Sequence, residues 1–338
     1  MIVNKPPFEI SEKALNLVTL ITEKLTKFEL NVNKRKNLFL RKISKIKSVN
    51  SSCAIEANTL TEDEIISVIN GKMVLASQNE IDEVLNAYNA YDNINIYDPY
   101  SVESFLKAHS ILTTNLIDES GKFRSSDVGV IDGTKVVHLG ARPEFVPKLV
   151  EELFTWAKTS DLNPLIKSSV IHFEIEFIHP FNDGNGRIGR LWQSLILYKY
   201  NKIFEYLPVE TLVFENQEQY YDALSKSERD ASSTVFIEYM LNMILKTIEK
   251  FETSSSLSRI KDEYVIELSK TEREILNKLV VYFNKNEFID NAKAINVIEK
   301  NRENTRKYFG KFVKLGILLP IGNNKGRKYR LNEAIINK

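Results

Sequence analysis

Along most of the chain apolar residues return every three or four positions, the period of an α-helix with one buried face. Ile166, Val170, Phe173 and Phe177 follow that spacing, and residues 143 to 158 (PEFVPKLVEELFTWAK) repeat it. Thr61 with Glu64 three positions later is a capping box, and Gly71 marks where the short helix behind it stops. The pattern changes at VGVIDGTKVVHL, residues 128 to 139, where two β-branched runs flank Asp132-Gly133 and predict a hairpin. SSSLSR, residues 254 to 259, is a serine-rich break and the expected domain boundary. Beyond it, TEREILNKLVVYF, DNAKAINVIEK and ENTRKYFGKFVKLG predict three helices, the last ending at Gly316, and ILLPIGNNKGRKYRLN predicts a basic hairpin. Three helices followed by a hairpin form the pattern of a winged helix-turn-helix over residues 260 to 338. The expected fold class is therefore mainly α, with little sheet.

Composition narrows the function classes. With 338 residues, 43% of them hydrophobic, the chain can bury at least one full core, and its length suggests two domains. No stretch approaches the ~18 apolar residues of a membrane span, and the N-terminus has no apolar core of signal-peptide length. A cytoplasmic protein without a membrane partner is expected. The single cysteine, Cys53, rules out an intrachain disulfide and a cysteine-based zinc cluster. The net charge of +1 hides an asymmetry: residues 301 to 338 carry +8, and the rest of the chain −7. A mildly acidic body with a basic tail points to two parts with different partners, DNA being the candidate for the tail.

The chemistry concentrates in HPFNDGNGRIGR, residues 179 to 190. Gly184, Gly186 and Gly189 spell G-x-G-x-x-G, but no series of parallel strands surrounds them, and His179, Pro180 and Asp183 intrude before the glycines, which argues against a dinucleotide fold. A helix ending near Ile178, a loop to Gly184 and a second helix from Asn185 fit the periodicity better. Free N–H groups at a glycine-rich helix start attract anions, and Arg187 and Arg190, three apart, flank that end. Such a site suits a phosphate chain. Asp183 offers an oxygen ligand for Mg²⁺, and His179 can take a proton near neutral pH.

These residues resemble the signature H-P-F-x-[DE]-G-N-G-R-x-x-R of the Fic family of nucleotidyl-transferring proteins, matching all nine specified positions of twelve. The likeness runs over roughly residues 50 to 245 and includes GKFR (121 to 124), the hairpin before RPEFVP, and NQEQYYDAL (216 to 224). It implies an N-terminal helical region over 1 to 100, a helical Fic core over 101 to 250 with the hairpin as a flap, and the winged helix after it. It also implies transfer of AMP from ATP to a Ser, Thr or Tyr hydroxyl on a target protein or on the chain itself. His179 would be the base, Asp183 the Mg²⁺ ligand, and Phe181 the loop's anchor. Gly184, Asn185, Gly186, Arg187, Ile188, Gly189 and Arg190 would hold the phosphates, with Tyr220 and Tyr221 beside the adenine. The flap would hold a target segment as an added strand. SSCAIEAN, residues 51 to 58, is similar to the family's inhibitory helix, [ST]-x-x-x-E-[GN], with Ser52 and Glu56 in place and Ala57 departing from the last position. Glu56 is then expected to pair with Arg190 and restrain the activity. Alternatives are removal of AMP from a modified protein and a DNA-binding regulator with a nucleotide-sensing core. A homodimer is left open.

Overall fold

The computed structural model describes residues 5–32, 38–132, 135–254, 268–283, 286–322 and 327–332. It divides into two compact units, Met1–Lys34 with Ile43–Glu249, and Arg35–Lys42 with Lys250–Lys338. Residues 255–259 of the serine-rich break, and Gly133 at the hairpin tip, lie outside the described residues. No described helix is long and apolar enough to cross a membrane.

The first unit is built almost wholly of helices: α1 (Glu12–Val32), α2 (Leu38–Ile55, entering this unit at Ile43), α3 (Glu62–Ile69), α4 (Gln78–Asp92) and α5 (Val102–Leu112). After the hairpin come α6 (Val146–Thr159), α7 (Pro164–Ile178), α8 (Asn185–Tyr200), α9 (Val209–Glu215), α10 (Gln217–Arg229) and α11 (Thr234–Ser254). The capping box forms as the sequence predicts, with Thr61 accepting from Glu64 N–H and the Glu64 carboxylate accepting from Thr61 N–H. α7 and α8 are the central pair, buried on nearly every side. The alternation of IHFEIEF does not make a strand, because Ile171, Phe173 and Ile175 and the intervening His172 are all buried within α7. Phe105 packs edge-on against Phe154 and Trp192, at 5.3 and 5.0 Å, and Trp192 donates its indole N–H to Pro99 O at 2.9 Å. This aromatic cluster fixes α5, α6 and α8 to one another and so fixes the loop that joins α7 to α8.

The predicted hairpin is present as β1 (Gly129–Asp132) and β2 (Lys135–Leu139), antiparallel, with a register shift between Val130 and Ile131.

The second unit contains α12 (Lys270–Phe283), a short strand β3 (Ile289–Asp290), α13 (Asn291–Ile298), α14 (Arg302–Lys314), β4 (Leu318–Ile321) and β5 (Lys328–Leu331). β3 and β4 flank β5 in an antiparallel sheet. The two-residue β3 was not predicted, since it is too short to show a period of two. Asp290 and Asn301 cap the two helices that follow them by accepting from Lys293 N–H and Asn304 N–H. Leu276, Leu279, Ile289, Ala294, Ile298, Phe309, Phe312 and Leu318 form this unit's own core.

Candidate active site

α7 ends because His179 adopts a left-handed backbone, φ 52°. That conformation is costly for a side chain with a Cβ, on the order of 1–3 kcal/mol, and persists only where the surroundings hold it. Arg124 supplies the hold. Its guanidinium donates to His179 O at 2.7 Å, to Ser126 O at 2.7 Å and to Ala141 O, and its own N–H donates to Pro180 O. GKFR thus fastens the motif loop, a role that no spacing in the sequence announces. The His179 ring sits 3.3 Å through Nδ1 from Glu176 O. A carbonyl can only accept, so Nδ1 carries the proton and Nε2 keeps its lone pair. Burial lowers the ring's proton affinity, against the opposing pull of the Glu176 carboxylate and of the bond to Glu176 O.

Phe181 is fully buried and stacks flat on His109, centroids 3.5 Å apart. His109 accepts from Gly121 N–H through Nδ1 and donates through Nε2 to Asp183 O at 2.9 Å. Burial pushes its pKa down to about 4, which keeps this tautomer neutral. Asn185 accepts from Phe181 N–H and donates to Phe181 O, both at 2.9 Å. Its side chain therefore closes the loop and is already engaged, in contrast to the anion-binding role expected of it.

α8 starts at Gly184, whose φ of 83° suits glycine and whose added Cβ would press on Thr113 and His109. The first-turn N–H groups that follow have no intrahelical acceptor. Both motif arginines are already neutralised. Arg187 donates to Asp183 Oδ2 at 2.9 Å and Glu83 Oε1 at 3.2 Å, leaving its buried Nε without a partner. Arg190 donates to Ser52 Oγ and Ser52 O, each at 3.1 Å, and to Glu56 Oε1 at 2.5 Å. The structure therefore brings Ser52, Glu56 and Arg190 together. A Cβ built on Gly186 would run into Glu56 Oε1, so that carboxylate lies directly over the glycine-rich helix end.

The helix carrying Ser52 stops at Ile55, and Asn58 N–H reaches back to Cys53 O at 3.1 Å, the wide bond of a Schellman close. Ala57 occupies its left-handed position at φ 67°. This explains the Gly or Asn that the inhibitory pattern places there, and why alanine is a strained substitute. Ala57→Gly is expected to stabilise the first unit by ~0.5–1 kcal/mol. A urea midpoint that does not rise would show that the strain is relieved elsewhere.

Three residues expected at the nucleotide lie in the interior of the described structure. Ile188 is fully buried and donates its N–H to Gly184 O, so it belongs to the core. Gly189 gives room to His172, whose ring lies 3.0 Å from where a Cβ would stand. Tyr220 is 1% exposed and hydrogen-bonds Glu176 and His172, each at 3.1 Å, so its ring faces the core. Tyr221 is 46% exposed and lies with Asp222, Ser225, Glu228 and Arg229 along a shallow, open hollow on the face of α10. From β2, His138 meets Glu228 Oε1 at 2.9 Å and Phe177 O at 3.0 Å, with its ring 5.8 Å from that of His179. Neither Glu83 nor His138 carried a sequence signal, because each meets its partners only through the fold.

Asp183 can be tested as a magnesium ligand. Its side chain is 54% exposed and, among the described residues, accepts from Gly184 N–H and Arg187, which leaves carboxylate lone pairs facing solvent. Among the described residues no three His, Cys, Asp or Glu cluster as a metal cage. One open carboxylate beside an anion site fits Mg²⁺, which takes few protein ligands and completes its shell with phosphates and water.

Residues 99–197 match the model of the Fic/DOC family. The crystal structure of a Fic family protein from Desulfovibrio desulfuricans G20 superposes with a TM-score of 0.74 at 30% identity, covering 97% of this chain and 98% of that one. Residues 134–508 of Fic-1 from C. elegans share the fold at a TM-score of 0.59 and 20% identity, over 73% of each chain. Among curated relatives, "Protein adenylyltransferase Fic" of Nematostella vectensis is 25% identical over 66% of this chain and 52% of its own length. "Protein adenylyltransferase fic-1" of Caenorhabditis elegans is 25% identical over 67% and 45%. The chain spans about half the length of these curated relatives. With the signature, the superposition over nearly the whole length of both chains and the family match in agreement, the chain belongs to the Fic family.

Proposed function

We propose that the chain transfers AMP from ATP to a Ser, Thr or Tyr hydroxyl of a protein target and of itself, under restraint by Glu56. The observation that carries this reading is the Glu56 carboxylate lying over Gly186 and paired with Arg190 at 2.5 Å. An anion already sits at the helix end, where a nucleotide phosphate would be bound. The relatives named as protein adenylyltransferases support the reaction class.

In this reading the hydroxyl oxygen attacks the α-phosphorus, the bond to the bridging oxygen breaks, and pyrophosphate leaves. His179 Nε2 accepts the hydroxyl proton, because Nδ1 is held as the donor to Glu176 O. The N–H groups of the first α8 turn and the two arginines receive the phosphate oxygens, and positioning with charge stabilisation does most of the work. Asp183 would hold Mg²⁺, which supplies charge neutralisation of the phosphates when bound. The exposed ring of Tyr221 supports placing the base and ribose beside α10.

The test is incorporation of label into the chain from ATP labelled at the α-phosphate against ATP labelled at the γ-phosphate. Only the α-label is expected to be retained; γ-label retention would make this a kinase-like reaction. Asp183→Ala and chelation are each expected to lower α-labelling by ~10²-fold or more, given that removal of one electrostatic stabiliser costs about that much. Labelling indifferent to chelators would overturn the assignment of Asp183.

A further inference from the structure

In the second unit, α14 turns one face inward through Thr305, Phe309 and Phe312 and leaves the opposite face exposed. Arg302, Arg306, Gly310 and Lys314 recur every four residues along that outer face, with Lys307 beside them. β5 and the residue before it add exposed Arg327, Lys328 and Arg330. Lys311 is paired with Glu272 at 2.6 Å, whereas Arg302, Arg306, Lys307, Lys314, Arg327, Lys328 and Arg330 have no ion-pair partner among the described residues. Seven exposed cations on one short helix, one strand and the residue before it form a surface of predominantly one sign, which attracts a polyanion. The face is not uniformly basic, since exposed Glu303 lies at its N-terminal edge.

Gly310 supplies the second observation. It stands mid-helix, where alanine is the better residue, yet a Cβ built there meets nothing within 4 Å. Neither the fold of this unit nor a turn requires glycine at that place. A bare helix surface between Arg306 and Lys314 is what a backbone needs if it is to approach another molecule closely.

We propose that α14 docks this unit onto duplex DNA, with Gly310 at the point of closest approach and the flanking arginines and lysines on phosphates. α13 and α14 are separated by only Glu299, Lys300 and Asn301, with Glu299 left-handed at φ 53°, the short connection of a helix-turn-helix whose second helix enters the major groove. The cations of β5 reach the backbone beside it. This activity is independent of the nucleotidyl transfer proposed above and is tested without it.

The measurement is fluorescence anisotropy of a labelled mixed-sequence duplex titrated with the full chain across a salt series, alongside single-stranded RNA and heparin. Duplex binding is expected, with log K falling on log salt at a slope of roughly −4.5, as for about five phosphate contacts. Arg306→Glu with Lys307→Glu is expected to remove it. Gly310→Ala is expected to weaken it about tenfold, equivalent to ~1.4 kcal/mol, while the thermal midpoint holds or rises, which separates a docking defect from misfolding. Absence of duplex binding overturns the proposal. So does duplex binding matched by heparin or RNA and unmoved by Gly310→Ala, which would mark a general polyanion surface.

Discussion

Replacing His179 with alanine is expected to lower AMP transfer by ~10²–10⁴-fold, the usual contribution of a positioned base. The arrangement around the ring makes the expectation specific. Arg124 holds the carbonyls of His179 and Pro180, so the loop keeps its path when the imidazole and its Nδ1 contact are removed, and nucleotide binding is expected to survive. The pH dependence has a definite sign. Burial lowers the proton affinity of His179, so the base form persists below the ordinary imidazole range, and the transfer rate falls only when acid protonates Nε2. Rates measured from pH 5 to 8 on wild type and on His179→Ala check both points. Full activity in the variant would mean that another group takes the proton; a wild-type rate that falls well above the usual imidazole range would refute the shift.

Much of the fold was legible because its elements are long and strongly periodic. The helix through Ile166, Val170 and Phe173, the capping box at Thr61 and the hairpin around Asp132 all follow from local rules that tertiary structure reinforces. IHFEIEF shows the limit of such rules. Most of α7 is buried, His172 as well as its apolar neighbours, so polar and apolar positions alike turn inward and a period of two carries no strand there. The polar residues are then accommodated individually. His172 meets Gln193 at 2.6 Å and Tyr220 at 3.1 Å. Lys167 donates to Ala157 O at 2.8 Å and Ser160 O at 2.6 Å.

The site was legible where one short stretch supplied it, and illegible where distant segments met. His179, Asp183, Arg187 and Arg190 lie within a dozen residues, and their relation is set by one loop and one helix turn. Arg124 reaches that loop from the segment after α5, Glu83 reaches Arg187 of α8 from α4, and His138 reaches Phe177 O of α7 from β2, and no pattern in their own neighbourhoods announces a partner. Tyr220 and Tyr221 show a subtler limit of reading adjacent residues as a pair. Adjacent residues on a helix point about 100° apart, so only one of the pair can face the cavity while the other enters the core. The same geometry turns Ile188 into the core while Arg187, itself buried, reaches Asp183 and Glu83.

Glu56→Gly is expected to raise auto-modification about tenfold. Glu56 Oε1 accepts from Arg190 at 2.5 Å and lies over Gly186, so it competes both for the cation and for the space that a phosphate needs. A charge-assisted hydrogen bond contributes ~1.5–3 kcal/mol. The Glu56 side chain is 34% exposed, and solvent screening places its net advantage at the low end, near the ~1.4 kcal/mol of a tenfold change. Ser52 is expected to keep Arg190 in position after the carboxylate is gone, because its hydroxyl and carbonyl oxygens both accept from the guanidinium. The liberated arginine is therefore preorganised for a phosphate. Arg190→Ala is expected to be inactive with or without Glu56, since the gain depends on that cation. Ser52→Ala combined with Glu56→Gly is expected to recover less activity than Glu56→Gly alone. Equal labelling by wild type and Glu56→Gly would show that the carboxylate yields to ATP without cost, and that the pair closes a helix end and leaves the enzyme unrestrained.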